Sequence, residues 1–137
     1  MIQILAGEKG EGKTKRLLEM ANAAGKKANG HVVFIDDDNR HMYDLHYDIR
    51  FVETSGFIME NANVLFGFIC GILSQDSDIE KIYIDGINNI VKNLSDEDLV
   101  SFMEKLEKTS TAANVDFTMI LSHKVDALPE KAKQYLI

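Results

Sequence analysis

The chain has 137 residues, 45% of them hydrophobic and 27% charged, with one cysteine, one proline and a formal charge of −7. Those values describe a single ordinary domain spanning residues 1–137, and the lone Cys70 excludes an internal disulfide framework and any cysteine-based zinc ribbon. The acidic balance speaks against a nucleic-acid partner, because binding a phosphate backbone needs a basic surface.

In chain order, the apolar run Ile2–Ala6 predicts a buried strand. It is too short for a signal peptide or a membrane span and has no basic segment before it, so the expected setting is the cytoplasm, with no membrane partner. A single thiol suits that reducing compartment. Lys13–Ala24 carries Leu17, Leu18, Ala21 and Ala24 on one helical face, with Gly25 as the expected C-cap. His31–Ile35 reads as a second strand running into Asp36-Asp37-Asp38, and Arg50–Glu53 as a shorter one. Ala62–Leu73 is almost wholly apolar, which predicts a helix packed under other elements. Lys81–Ile84 is a strand ending in Asp85-Gly86. Ser95–Lys108 opens with a capping pattern from Ser95 to Asp98 and shows Leu99, Phe102, Met103 and Leu106 as a core-facing stripe. Phe117–Leu121 is a strand ending in Ser122-His123-Lys124, and Gln134–Ile137 a short last strand. This alternation predicts an α/β fold with a mostly parallel central sheet.

Gly7-Glu8-Lys9-Gly10-Glu11-Gly12-Lys13-Thr14 fits the pattern G-x-x-x-x-G-K-[ST] without a mismatch. Glycines let the backbone curl so that successive N–H groups point at phosphate oxygens, and the helix that follows adds its positive end. The expected ligand is a nucleoside triphosphate, ATP with Mg²⁺, held by residues 7–14 with Lys15 next along the helix. Lys13 would reach the β- and γ-phosphates, and the Thr14 hydroxyl would be a Mg²⁺ ligand. Asp85, where a second strand leaves the sheet, is the expected acid of the Mg²⁺ site. Many ATPases follow that acid with a glutamate that activates water; here Gly86 stands there. A carboxylate from the neighbouring strand end, Asp38 or Asp36, is one reading of Asp36-Asp37-Asp38 and a solvated acidic loop the other; Asp38 is assigned with Lys13 to catalysis. Ser122 and His123 end a strand beside the phosphate loop, where γ-phosphate-sensing groups sit; the other reading of His123 is an exposed strand-end residue. His41, Asp44 and His46 share one loop, but their spacings match no metal-ligand motif. Cys70 reads as core filler.

Together these motifs resemble the RecA-like branch of the P-loop ATPases. Gly7–Thr14 is similar to the family's Walker A motif and Ile82–Asp85 to its Walker B motif. The family's second strand ends in an acid followed two residues on by a catalytic glutamate, which puts Asp38 at the catalytic position. Leu121-Ser122-His123 resembles the strand that ends in a γ-phosphate-sensing glutamine, with His123 in its place. The resemblance implies a three-layer P-loop fold, a strand order of 6-1-5-4-2-3 and a nucleotide at the carboxyl edge of the sheet. It extends to short stand-alone bacterial P-loop proteins. The expected activity is ATP binding with weak or partner-stimulated hydrolysis. A RecA-like site is often completed by a neighbouring subunit's arginine, and Arg40 or Arg50 would serve in a homo-oligomer; an unknown protein partner is equally open. The alternatives are a small-molecule kinase, which needs an arginine-bearing lid that only Arg16, Arg40 and Arg50 could furnish, and a non-catalytic nucleotide-binding subunit.

Overall fold

The computed structural model describes residues 1–10 and 12–137. Five parallel strands form one sheet: β1 (Ile2–Ala6), β2 (His31–Asp36), β3 (Arg50–Glu53), β4 (Ile79–Ile84) and β5 (Asp116–Leu121), in the order β1-β5-β4-β2-β3. Outside β1, Leu136 makes one parallel bridge to Ile4. The helices are α1 (Lys13–Lys27), α2 (Ala62–Gln75), α3 (Ile87–Ile90), α4 (Asp96–Ala113) and α5 (Glu130–Lys133).

Alternation along the strands feeds two cores. Ile4, Val33, Ile35, Ile82, Ile84, Phe117 and Met119 point to the side covered by Leu65 and Ile69 of α2 and Leu99, Phe102, Met103 and Leu106 of α4. Leu5, Val32, Phe34, Tyr83 and Ile120 point to the other side, where Leu17 and Ala21 of α1 cover them. Because both faces are covered, the strands read as continuous apolar runs, as buried parallel strands do. Burying side chains of this size stabilises by roughly 1.5–3 kcal/mol each. Local signals set the helix starts: Asn61 accepts from the Val64 amide at 3.0 Å and Ser95 from the Asp98 amide at 3.1 Å. Asp96, Glu97 and Asp98 then sit in the first turn of α4, where the helix dipole favours negative charge.

Three local expectations are corrected. Gly25 does not cap α1, which runs on to Lys27; instead it lies so near Ile49 that an added Cβ would stand 3.1 Å from that side chain. The glycine there serves a close packing contact, not a turn. Residues Gln134–Ile137 form a bridge and not a strand, tied to β1 by Ile4 N–H to Tyr135 O (2.8 Å) and Ile137 N–H to Ile4 O (3.0 Å). Helix α2, apolar nearly all round, buries only the stripe Ala62, Leu65 and Ile69; Val64 is exposed and Phe68 half-buried. It packs on one face of the sheet beside α4, and Phe57 of the β3–α2 loop lies against its Phe68, ring centroids 5.4 Å apart. No helix of the described residues is long and apolar enough to cross a membrane.

An all-parallel sheet brings every strand's carboxyl end to one edge. Gly7 after β1, Asp36 at the end of β2, Asp85 after β4 and Ser122 after β5 therefore converge. Strand pairing fixes their neighbours: Ala6 sits across from Leu121 and Ile35 from Ile84, so the next residues, Asp36 and Asp85, leave adjacent strands together.

Candidate functional site

The residues after β1 form an open loop that only glycine can trace easily. Gly7, Gly10 and Gly12 have φ of 151°, 87° and 77°, the left-handed side of backbone space that L side chains avoid. Gly12 caps α1 with its own carbonyl, which accepts from Arg16 N–H at 3.1 Å. Lys13 bends back over the loop, its ammonium donating to the carbonyls of Gly7 (2.9 Å) and Glu8. The loop end, the start of a fifteen-residue helix and a held ammonium thus point to one place. Glu11 lies outside the described residues.

A cleft of about 450 Å³ opens there. Lys9, Gly10, Gly12, Lys13 and Thr14 form one wall, and Asp85, Gly86 and Ser122 line it from the strand ends opposite. Thr14 Oγ1 donates to Asp85 Oδ1 at 3.4 Å. These two oxygens come from elements 71 residues apart and offer the hard donors that Mg²⁺ prefers. Both sit where the loop wall meets the strand ends.

The strand-end acids are buried. Asp36 is 3% exposed and Asp85 8%. Asp36 Oδ1 accepts the Asp37 amide at 2.7 Å, while Oδ2 is the one buried side-chain oxygen without a partner among the described residues. Burial, the Asp37 side chain and the charge of Asp85 together push the Asp36 carboxyl up to about 8. Burial also raises Asp85, opposed by the hydrogen bond from Thr14. Two buried like charges on adjacent strand ends are an arrangement that a cation or a proton relieves. Carboxylate oxygens of Asp36, Asp37 and Asp38 lie within 4.8 Å of one another.

Asp38, the sequence choice for catalysis, belongs to this acidic cluster and is paired with Arg40. Its carboxylate accepts from the Arg40 amide (3.0 Å) and Nε (2.8 Å), and it does not line the cleft. The carboxylate beside Asp85 is Asp36. Lys15 and Glu8 are exposed, and the Glu8 carboxylate faces Lys124 at 3.4 Å. Ser122 lines the cleft and His123 does not. Arg50 pairs with Asp76 at 2.8 Å, at the opposite edge of the sheet. Arg40 and His41 line the cleft of their own chain, which reading the sequence did not foresee.

Two asparagines of α3 were also missed. Asn88 Oδ1 accepts the Ser122 amide at 2.8 Å, so its other end is the NH₂ group, 3.2 Å from His123 Nδ1. Because a backbone N–H can only donate, the amide orientation is settled, and Nδ1 of His123 is the acceptor. A neutral His123 therefore carries its proton on Nε2. Asn89 lines the cleft and also explains Gly86: with φ of 70°, a Cβ on residue 86 would lie 2.9 Å from Asn89 Nδ2. A glutamate after Asp85 would strain the backbone there and push the Asn89 amide aside.

No protein-family profile matches the chain, and no curated protein sequence matches it.

Proposed function

We propose that this protein binds a magnesium nucleoside triphosphate, ATP, in the cleft at the carboxyl edge of its sheet, as a minimal RecA-like P-loop domain. The observation that carries the reading is the meeting of the glycine loop and Lys13 with Thr14 and Asp85 across one cleft. The strand order supports it as well. With the Leu136 bridge outside β1, the sheet reads in the order that the RecA-like resemblance implies.

In this reading the loop amides and the α1 N-terminus hold the phosphates. Lys13 leaves its two carbonyl partners to reach the β- and γ-phosphate oxygens. Thr14 and Asp85 would hold Mg²⁺, which would supply positive charge to offset that of the phosphates. Arg40 lines the cleft with its Nε paired to Asp38, and its remaining guanidinium nitrogens would meet the γ-phosphate without a second subunit. Neither Asp36 nor Asp38 lines the cleft; of the two, Asp36 adjoins Asp85 and is the nearer carboxylate for orienting water, while Asp38 is paired with Arg40. A carboxyl held near 8 is mostly protonated at neutral pH and so a poor base, and Gly86 adds no side chain. Hydrolysis by the protein alone is accordingly slow, below ~1 s⁻¹. The setting we propose is the cytoplasm.

Calorimetric titration with ATP and Mg²⁺ tests the reading. Wild type should bind one nucleotide per chain, and Lys13→Ala should lose most of that affinity while keeping its fold, because Lys13 is half-buried at a helix start and supports no core contact. Equal affinity in the two proteins would refute it.

A further inference from the structure

A second cleft of about 470 Å³ adjoins the first, and Asn89 lines both. We propose that it binds a small zwitterionic molecule of amino-acid to dipeptide size. Its volume falls in the usual range for small-molecule sites, about 300–1,000 Å³. Buried Thr54 and Ile90 contribute to the lining, and Phe57 and Met59 add apolar surface from the β3–α2 loop. Around that apolar surface stand Asp37, Glu60 and Lys92.

The charges choose the ligand. None of these three side chains makes an ion pair among the described residues, although ten such pairs occur elsewhere on the molecule. A simple anion would meet Lys92 but face two carboxylates. A simple cation would meet the carboxylates and face Lys92. A zwitterion satisfies both signs at once, and its apolar part covers Phe57 and Met59. The location gives the site a use. Asp85 lines the first cleft and Asp37 the second, and buried Asp36 is hydrogen-bonded to Asp37 and close enough to feel the charge of Asp85. A molecule in the second cleft therefore sits next to the strand-end acids. The second cleft has its own charged and apolar lining, and a ligand there does not require nucleotide in the first.

The experiment is a ¹H–¹⁵N NMR titration of the full chain with L-serine, L-phenylalanine and the dipeptide Ser-Phe. Phenethylamine and 3-phenylpropionate serve as single-charge comparisons. At least one zwitterion should give saturable shifts in the amides of residues 54–60 and 89–93, with a Kd of about 1 mM or tighter. Single-charge compounds and the Lys92→Gln variant should bind at least ~10-fold more weakly. Lys92 is exposed, so that variant keeps its fold. Lys13→Ala should bind the zwitterion as wild type does. The proposal is overturned if no zwitterion gives a saturable shift there, if a single-charge compound binds as well, or if Lys92→Gln changes nothing. ATP shifts on residues 7–15 report the other cleft separately, so either reading can fail alone.

Discussion

Replacing Asp36 with asparagine should make the protein more stable, and increasingly so as pH rises. The wild-type side chain is 3% exposed, has an unpartnered Oδ2, and shares its end of the sheet with Asp85. Its folded carboxyl titrates at about 8 against an ordinary 3.8, so the folded state holds a proton that the unfolded chain releases. Where the folded state binds more protons, stability falls as pH rises. The contribution of Asp36 is therefore present below about pH 4, is lost progressively up to about pH 8, and is flat beyond. A shift of roughly four units at ~1.4 kcal/mol each sets a ceiling of ~6 kcal/mol. Effective screening inside real proteins lowers the electrostatic part, so ~2 kcal/mol or more is the expected gain of Asp36→Asn over wild type between about pH 5 and pH 9. Asparagine keeps an oxygen for the Asp37 amide, and its NH₂ can donate towards the neighbouring carboxylates. With no tryptophan in the chain, urea unfolding is followed by far-UV circular dichroism. In thermal melts the gain amounts to roughly 3–5 °C per kcal/mol for a chain of this size. Wild-type and variant stabilities that stay parallel across this range would show that no buried charge is being forced on the folded state at Asp36.

The same variant should trade that stability for function. Asp36→Asn should lower the residual ATP turnover by ~10-fold at most, short of the ~10²–10⁴ of a well-poised base because its carboxyl is mostly protonated at neutral pH, while Asp38→Asn should stay within ~2-fold of wild type because its carboxylate closes a turn onto Arg40; phosphate-release assays with the reverse order of effects would return the role to Asp38. For His123, ¹⁵N NMR should show the Nε2–H tautomer at alkaline pH, and Asn88→Ala should mix in the other tautomer. A wild-type imidazole protonated on Nδ1 would contradict the bracket that Asn88 makes.

Much of the architecture was legible because it rests on periodicity. The strand positions at His31, Lys81 and Phe117 follow from short β-branched runs, and the α4 stripe from Leu99 to Leu106 follows from helical spacing. The glycine loop and Asp85 were legible as well, since each is a local pattern tied to a strand end, and the structure brings Thr14 and Asp85 together. What escaped depends on placement in space. Gly25 looked like a cap because its packing partner, Ile49, is a core residue from a distant loop. Helix α2 looked buried because composition does not tell which side of an apolar helix meets the sheet. Asp38 is two residues past the strand end, as counted, and what the count did not show is that the chain turns there and pairs it with Arg40. Its spacing to Arg40 is the one local signal of that turn, an aspartate accepting from an amide two residues on. Arg40, His41, Asn88 and Asn89 reach the site region through loops and a one-turn helix, and no sequence pattern announces them.

The most direct test of the central claim is a crystal structure with a non-hydrolysable ATP analogue and Mg²⁺. The account predicts β- and γ-phosphates under the amides of Gly10, Gly12, Lys13 and Thr14, with the Lys13 ammonium moved from the Gly7 and Glu8 carbonyls onto them. It predicts Mg²⁺ held by Thr14 Oγ1 on the side facing Asp85, and Arg40 of the same chain beside the γ-phosphate. A triphosphate bound anywhere else, or a loop that keeps Lys13 on its carbonyls at saturating nucleotide, would contradict it.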